Sequence, residues 1–97
     1  MHVLSKPIIN AFIREHPQSA ELMSVWYQKM KLANWANLNE LRAGIPDVDY
    51  ITNDRYVFNV GSYRIIAMIF FKANQLYIRG IFTHKEYDKR RAQLPTL

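Results

Sequence analysis

The six residues Thr83-His84-Lys85-Glu86-Tyr87-Asp88 bring an imidazole, an ammonium, a phenol and two carboxylates into one short stretch. Thr followed three residues later by Glu has the form of a capping box, which places a helix start at Thr83 and puts His84 and Lys85 in the first turn. Free backbone N–H groups and the positive end of the helix dipole favour an anion there. His84, Tyr87 and Asp88 stand at i, i+3 and i+4 and so share one helix face, from which Asp88 can orient His84 across a turn. The chemistry this set suits is cleavage of RNA by its own 2′-hydroxyl. That reaction needs a base for the hydroxyl proton, an acid for the leaving 5′-oxygen and positive charge around the pentacovalent phosphate. His84 and Tyr87 are the candidates for the proton transfers, and Arg64, Arg79 and Lys85 for holding the phosphate. The reaction requires no metal or other cofactor. Each residue also has a plainer reading: His84 as a surface helix-start residue, Tyr87 as an aromatic packed on the sheet, and Lys85 with Lys89-Arg90-Arg91 as a solvated basic face. That same face serves for contacts to an RNA or DNA backbone.

Strands must deliver the two arginines. From Tyr56 the chain turns β-branched and aromatic, and Tyr56–Val60, Tyr63–Phe71 and Leu76–Thr83 read as three strands joined by tight turns at Gly61-Ser62 and Ala73-Asn74. A two-residue turn at Gly61-Ser62 sets Val60 opposite Tyr63 and Asn59 opposite Arg64. A two-residue turn at Ala73-Asn74 sets Lys72 opposite Gln75, Arg64 opposite Thr83 and Met68 opposite Arg79. Asn59, Arg64, Arg79 and Thr83 then fall on one sheet face, where two guanidiniums make a fork for a phosphodiester. A bulge in either hairpin changes that register. Arg64 interrupts an otherwise apolar run and has to reach water or an anion. The plainer alternatives for it are snorkelling to the sheet edge or a salt bridge to an aspartate of the 47–54 segment.

The N-terminal half supplies the cover. His2–Ser5 alternates like a first strand, and Ser5 can cap a helix with Pro7 in its first turn. Ile9, Phe12, Ile13 and His16 share a face, and Pro17 ends that helix. Leu22, Val25, Trp26, Met30 and Ala33 form an apolar stripe over 19–34, so two helices meet at a proline corner as a hairpin. Asn37 followed by Glu40 caps a short helix through Arg42 inside an otherwise irregular acidic segment, 34–55. The tail after Lys89-Arg90-Arg91 is expected to fray towards Pro95. The expected architecture is α+β: an N-terminal strand, a two-helix hairpin packed on one face of an antiparallel sheet, and a short C-terminal helix, with the arginine face left partly open.

Ninety-seven residues make one domain, 1–97, because a second core would leave neither half enough apolar surface. Lys plus Arg outnumber Asp plus Glu by 13 to 8, and the +5 excess concentrates after residue 58, on the half that holds the candidate site. That distribution points to nucleic acid. With no cysteine there is no disulfide, thiolate metal site or cysteine nucleophile, and three scattered histidines show no zinc-ligand spacing. Lys6 and Pro7 precede any long apolar run, and the longest such run, Ile65–Phe71, is too short to cross a bilayer. No membrane partner and a cytoplasmic location are therefore expected.

On these residues the chain resembles the HigB-type toxins of bacterial type II toxin–antitoxin modules, in the RelE-like superfamily. The resemblance runs through Val25-Trp26-Tyr27, Ala33-Asn34-Trp35, Leu41-Arg42-Ala43-Gly44-Ile45-Pro46 and Tyr56-Val57-Phe58-Asn59-Val60. It ends in Tyr63-Arg64-Ile65-Ile66, Tyr77-Ile78-Arg79 and the Thr83–Asp88 motif. It implies a RelE-like fold and an mRNA interferase, an endoribonuclease that cleaves messenger RNA, usually on the translating ribosome. The partner it implies is a helix-turn-helix antitoxin of the HigA type, through which operator DNA is bound. Arg64, Arg79, His84, Lys85 and Tyr87 are the positions where such toxins concentrate functional residues, with Asn59, Lys89, Arg90 and Arg91 available to bind RNA. Two other readings use the same basic face: a non-catalytic RNA- or ribosome-binding module, and a subunit acting only as corepressor beside its antitoxin.

Overall fold

The computed structural model describes residues 1–97 as a five-stranded sheet with two helices on one face and the C-terminal segment against the other. Strand β1 (His2–Leu4) leads into helix α1 (Lys6–Glu15), a 3-10 turn at Pro17–Ser19 and helix α2 (Ala20–Leu32). Helix α3 (Leu38–Gly44) follows, then the two-residue strand β2 (Asp49–Tyr50). The long strands β3 (Arg55–Val60), β4 (Tyr63–Phe70) and β5 (Gln75–Thr83) lead into helix α4 (His84–Arg90) and a 3-10 segment at Arg91–Thr96. The sheet order is β1-β5-β4-β3-β2. All pairings are antiparallel except β1 with β5, so the sheet is mixed where a purely antiparallel one was expected.

Alternation along β3, β4 and β5 divides the apolar residues between two faces. Phe58, Val60, Tyr63, Ile65, Ala67, Ile69, Leu76, Ile78 and Ile81 belong to the main core with Ile9, Phe12, Met23, Trp26 and Met30 of α1 and α2. The helical hairpin therefore covers the inner face, but α2 does so through Met23, Trp26 and Met30, while Leu22 and Val25 of the expected stripe are exposed. Ser5 departs from expectation: it lies in the left-handed region at φ 74°, and its side chain makes no capping bond. Asn37 behaves as predicted, its side chain accepting from the Glu40 N–H at 3.0 Å.

The β3–β4 hairpin has the predicted register, with Val60 opposite Tyr63 and Asn59 opposite Arg64. Gly61 takes φ +60° at the turn, a conformation a glycine adopts without strain. The β4–β5 hairpin does not. Four residues, Phe71 to Asn74, make its turn, so Phe70 rather than Lys72 faces Gln75 and Met68 faces Tyr77 rather than Arg79. A bulge then shifts the ladder once more, with Ala67 opposite Ile78 and Ile66 opposite Gly80. Arg79 is the inserted residue, and beyond it Arg64 faces Phe82 while Tyr63 faces Thr83. The bulge lets Ile78 and Ile81, three apart, both face the main core.

The outer face is less open than expected. Val57, Ile66 and Leu94 form a small second core, flanked by Ile51, Phe82, Tyr87 and Leu97. The tail does not fray: Leu94 is 5 % exposed, and the Leu97 carbonyl accepts from Arg55 Nε at 2.8 Å. Burying Leu94 on Val57 and Ile66 releases apolar surface from water on a face that would otherwise expose it. No helix is long and apolar enough to cross a membrane.

Candidate active site

Strand β4 places Arg64 on the outer face two residues before Ile66, at the end of the sheet where β5 passes into α4. The guanidinium is held from behind. Nη1 donates to the carbonyls of Gly61 at 3.2 Å and Tyr63 at 2.9 Å, which aims the rest of the group away from the turn. Nη2 lies 3.3 Å from His84 Nδ1. A guanidinium has no lone pair, so Nδ1 is the acceptor in that contact, and the ring hydrogen then sits on Nε2. Nε2 faces Asp88 Oδ2 at 3.5 Å, one helical turn on. Arg64, His84 and Asp88 thus form a continuous polar chain from the sheet to the helix. None of the aspartates of 47–54 reaches Arg64.

The position of His84 depends on the capping box, which is present in full. Thr83 Oγ1 accepts from the Glu86 N–H at 3.2 Å, and Glu86 Oε1 accepts from the Thr83 N–H at 2.9 Å. The hydrogen bond from the Thr83 N–H holds the Glu86 carboxyl below its usual range. Partial burial opposes that shift, while the Thr83 hydroxyl, His16 and Arg90 add to it. His84 is therefore the first residue of a helix whose start is fixed at both ends of the box.

The other candidates divide. Arg79, set out by the bulge, is exposed and makes no side-chain hydrogen bond or ion pair, with Arg64 and His84 or with any other residue, so the fork of two guanidiniums expected on one face is not formed within the chain. Lys85 and Lys89 are exposed on α4. Arg90 lies over the Phe82 ring at 5.7 Å, and Arg91 over the Tyr87 ring at 5.6 Å with its Nε 3.9 Å from Asp88 Oδ1. Tyr87 itself packs in the outer core beside Leu94 and carries no hydrogen bond to Arg64 or His84. Asn59 stands opposite Arg64 on the edge side and donates to the Asp47 carbonyl at 3.2 Å and to its carboxylate at 3.5 Å. Sequence reasoning missed this tie to Asp47. The aspartate run before β2 and an asparagine on a strand face were its only signals.

The arrangement is an open surface. The side chains of His84 and Asp88 are 59 % and 51 % exposed, and among the candidate residues only Asn59 lines a cavity. It brings one fixed guanidinium, an imidazole and a helix start together, a combination that suits a phosphodiester. It does not by itself exclude water.

Comparison with known proteins bears on what that spot is for. Residues 19–90 match the family described as HigB_toxin, RelE-like toxic component of a toxin-antitoxin system. The chain is 30% identical over 92 residues to the mRNA interferase toxin HigB of Escherichia coli strain K12, covering 91% of this chain and 88% of that protein. It is likewise 31% identical over 93 residues to the mRNA interferase HigB of Escherichia coli O6:H1, covering 92% of this chain and 90% of that protein. The mRNA interferase HigB of Shigella flexneri is 30% identical over the same 91% of this chain.

Proposed function

This chain belongs to the HigB family of RelE-like toxins, the toxic components of toxin–antitoxin systems, and from that membership we propose that it is an mRNA interferase whose cleavage site is the Arg64–His84–Asp88 junction. The observation that carries the site assignment is the 3.3 Å contact between Arg64 Nη2 and His84 Nδ1, backed by Asp88. An imidazole beside a fixed guanidinium puts a proton-transfer group and a phosphate anchor at the same place.

In the proposed reaction the scissile phosphate displaces His84 from Arg64 Nη2 and takes that donor for a non-bridging oxygen. His84 Nδ1 is then free to accept the 2′-hydroxyl proton. Asp88 keeps the hydrogen on Nε2 and stabilises the imidazolium that forms. The 2′-oxygen attacks phosphorus, the bond to the 5′-oxygen breaks, and the products are a 2′,3′-cyclic phosphate and a 5′-hydroxyl. Arg79 and Lys85 add positive charge to the developing phosphorane, and Lys89, Arg90 and Arg91 with Asn59 extend the contact along the RNA. Tyr87, one turn beyond His84, is the candidate for protonating the leaving oxygen. Its ring must first leave the outer core, or its hydroxyl must be met there by the substrate.

The openness of the junction supports action on the ribosome: a surface that does not exclude water gains from a second one closing over the RNA. A single domain spanning 1–97 and a cytoplasmic location fit this reading. So does a HigA-type helix-turn-helix antitoxin as partner, carrying the pair to operator DNA. The test is primer-extension mapping of messenger cleavage after induction, with translation running and blocked, for the wild type, Arg64→Ala and His84→Gln. Cuts by the wild type during translation, lost in both folded variants, are expected. Growth arrest without any cuts would leave the basic face as a binding surface only.

A further inference from the structure

Helix α2 turns an uncovered apolar stripe to solvent. Met23, Trp26 and Met30 belong to the main core, while Leu22, Val25 and Leu32 are 41%, 63% and 81% exposed. With Lys29 they stand at i, i+3, i+7 and i+10, one line of about 15 Å along the helix. Only two other large apolar side chains of the whole chain, Ile8 and Tyr50, are exposed, so the stripe concentrates what the fold leaves unburied. We propose that it is the docking surface for the antitoxin, seating an amphipathic helix of that protein with a carboxylate for Lys29. The proposal rests on the reading of this chain as the toxin of a toxin–antitoxin pair and names the face the partner takes.

The relief suits a helix. Beside the stripe a groove of about 270 Å³ runs between α2 and the 45–47 loop, lined by Leu22 and Val25 together with Ile45 and Val60. Apolar side chains three and four apart on a partner helix can straddle the Leu22–Leu32 ridge and enter the groove beside it. The stripe also touches what an antitoxin has to silence. A Cβ at Gly61 would stand 2.8 Å from Leu22 Cδ1, so the leucine lies on the β3–β4 turn, and the Gly61 carbonyl accepts from Arg64 Nη1. A helix seated on Leu22 therefore bears on the turn that holds the guanidinium.

Charge decides between an antitoxin and a second copy of this chain. Lys29 stands within the stripe, exposed and with no hydrogen bond or ion pair. A carboxylate on the partner helix supplies the counter-charge it lacks. A second copy does not. Two α2 stripes packed antiparallel about a twofold axis set Leu22 against Leu32 and Val25 against Lys29, which covers both ammonium groups with valine and leaves them unpaired. Each copy also carries a net charge of +5, which opposes self-association.

The test uses the HigA-type antitoxin of the same operon. Val25→Glu and Lys29→Glu are each expected to weaken its binding at least about tenfold, with melting temperatures close to wild type because both side chains are exposed. Messenger cutting by both variants should match the wild type, so growth arrest should persist when the antitoxin is co-expressed. The chain has no cysteine, so Leu32→Cys and Gln18→Cys each provide a single exposed thiol, one in the stripe and one at the 3-10 turn outside it. In the antitoxin complex, alkylation by a maleimide should slow at least about tenfold at Leu32→Cys and far less at Gln18→Cys. Wild-type affinity in both folded variants, no binding of the antitoxin to the wild type, or unchanged alkylation of Leu32→Cys in the complex overturns the proposal. So does a chain that is dimeric alone and monomeric as Val25→Glu, which assigns the stripe to a second copy. If the wild type cuts no messenger yet the antitoxin binds through the stripe, the interferase reading fails and the docking surface stands. If it cuts and the stripe variants bind the antitoxin unchanged, only the docking surface fails.

Discussion

Replacing Thr83 by Val isolates the helix start on which the junction depends. The β-branched shape is kept, and only the hydroxyl that accepts from the Glu86 N–H at 3.2 Å is lost. Loss of an N-cap acceptor costs about 1 kcal/mol, within a range of roughly 0.5–2. For a domain of this size that is a fall in Tm of about 4–8 °C. Helix α4 is seven residues long with no fully buried side chain, so little else fixes its first turn. His84 is its first residue, and a start weakened by about 1 kcal/mol should lower cleavage by roughly fivefold at temperatures where the domain is still folded. Glu86→Gln provides the partner test, since the amide keeps an oxygen for the Thr83 N–H. The two variants should be sub-additive, because each hydrogen bond of the box helps to hold the other. The acid limb gives a further check. A carboxyl held low in the folded state contributes stability above its unfolded pKa, and that contribution is lost as pH falls through the depressed folded value. Wild-type stability should therefore decline on the acid side of the ordinary glutamate range, and Glu86→Gln should flatten that decline. Both are read by urea denaturation across pH. A Thr83→Val protein that melts early but cuts at the wild-type rate refutes the link from capping box to His84.

Arg64→Lys keeps the charge but cannot hold both carbonyls and the phosphate at once, so cleavage should drop at least tenfold with a melting temperature close to wild type. Asp88→Asn removes the charge that supports the imidazolium. It should slow single-turnover cleavage while RNA binding, read by filter retention, stays the same. Leu94→Ala opens the small outer core and should cost about 2–3 kcal/mol, the low end for a buried leucine because a terminal segment relaxes easily. Hydrogen exchange should then rise at Arg91–Thr96 and leave β3–β5 protected. Arg79→Ala should weaken RNA binding with little change in stability, since the side chain is exposed and makes no hydrogen bond or ion pair.

What the sequence made legible was local. A capping box is a three-residue spacing, and Thr83 with Glu86 could be read outright. The pairing of Asn59 with Arg64 followed from a two-residue turn containing a glycine, which leaves one register. The next hairpin failed on both counts that make such arithmetic work. Its turn has four residues, and Arg79 is inserted as a bulge that only the packing of Ile78 and Ile81 on the helices requires. Their spacing of three, odd for a strand with one buried face, was the available signal. The expected meeting of Arg64 with the helix start survives the changed register because Tyr63, its neighbour, faces Thr83. The parallel seat of β1 and the folded tail are tertiary: three residues of strand do not name their partner, and Leu94 reads as a surface residue until Val57 and Ile66 are seen to need cover. That need also explains why Tyr87 is packed rather than displayed.

The most direct measurement is the chemistry of the RNA ends. Fragments made by the wild type and by folded His84→Gln, with translation running, are assayed for 2′,3′-cyclic phosphate and 5′-hydroxyl termini. If His84 at the Arg64 junction moves the 2′-hydroxyl proton, the wild type leaves those ends and the variant yields at least about a hundredfold fewer of them. Cuts ending in 3′-hydroxyl and 5′-phosphate, or a folded His84→Gln that cuts as fast as the wild type, would contradict it.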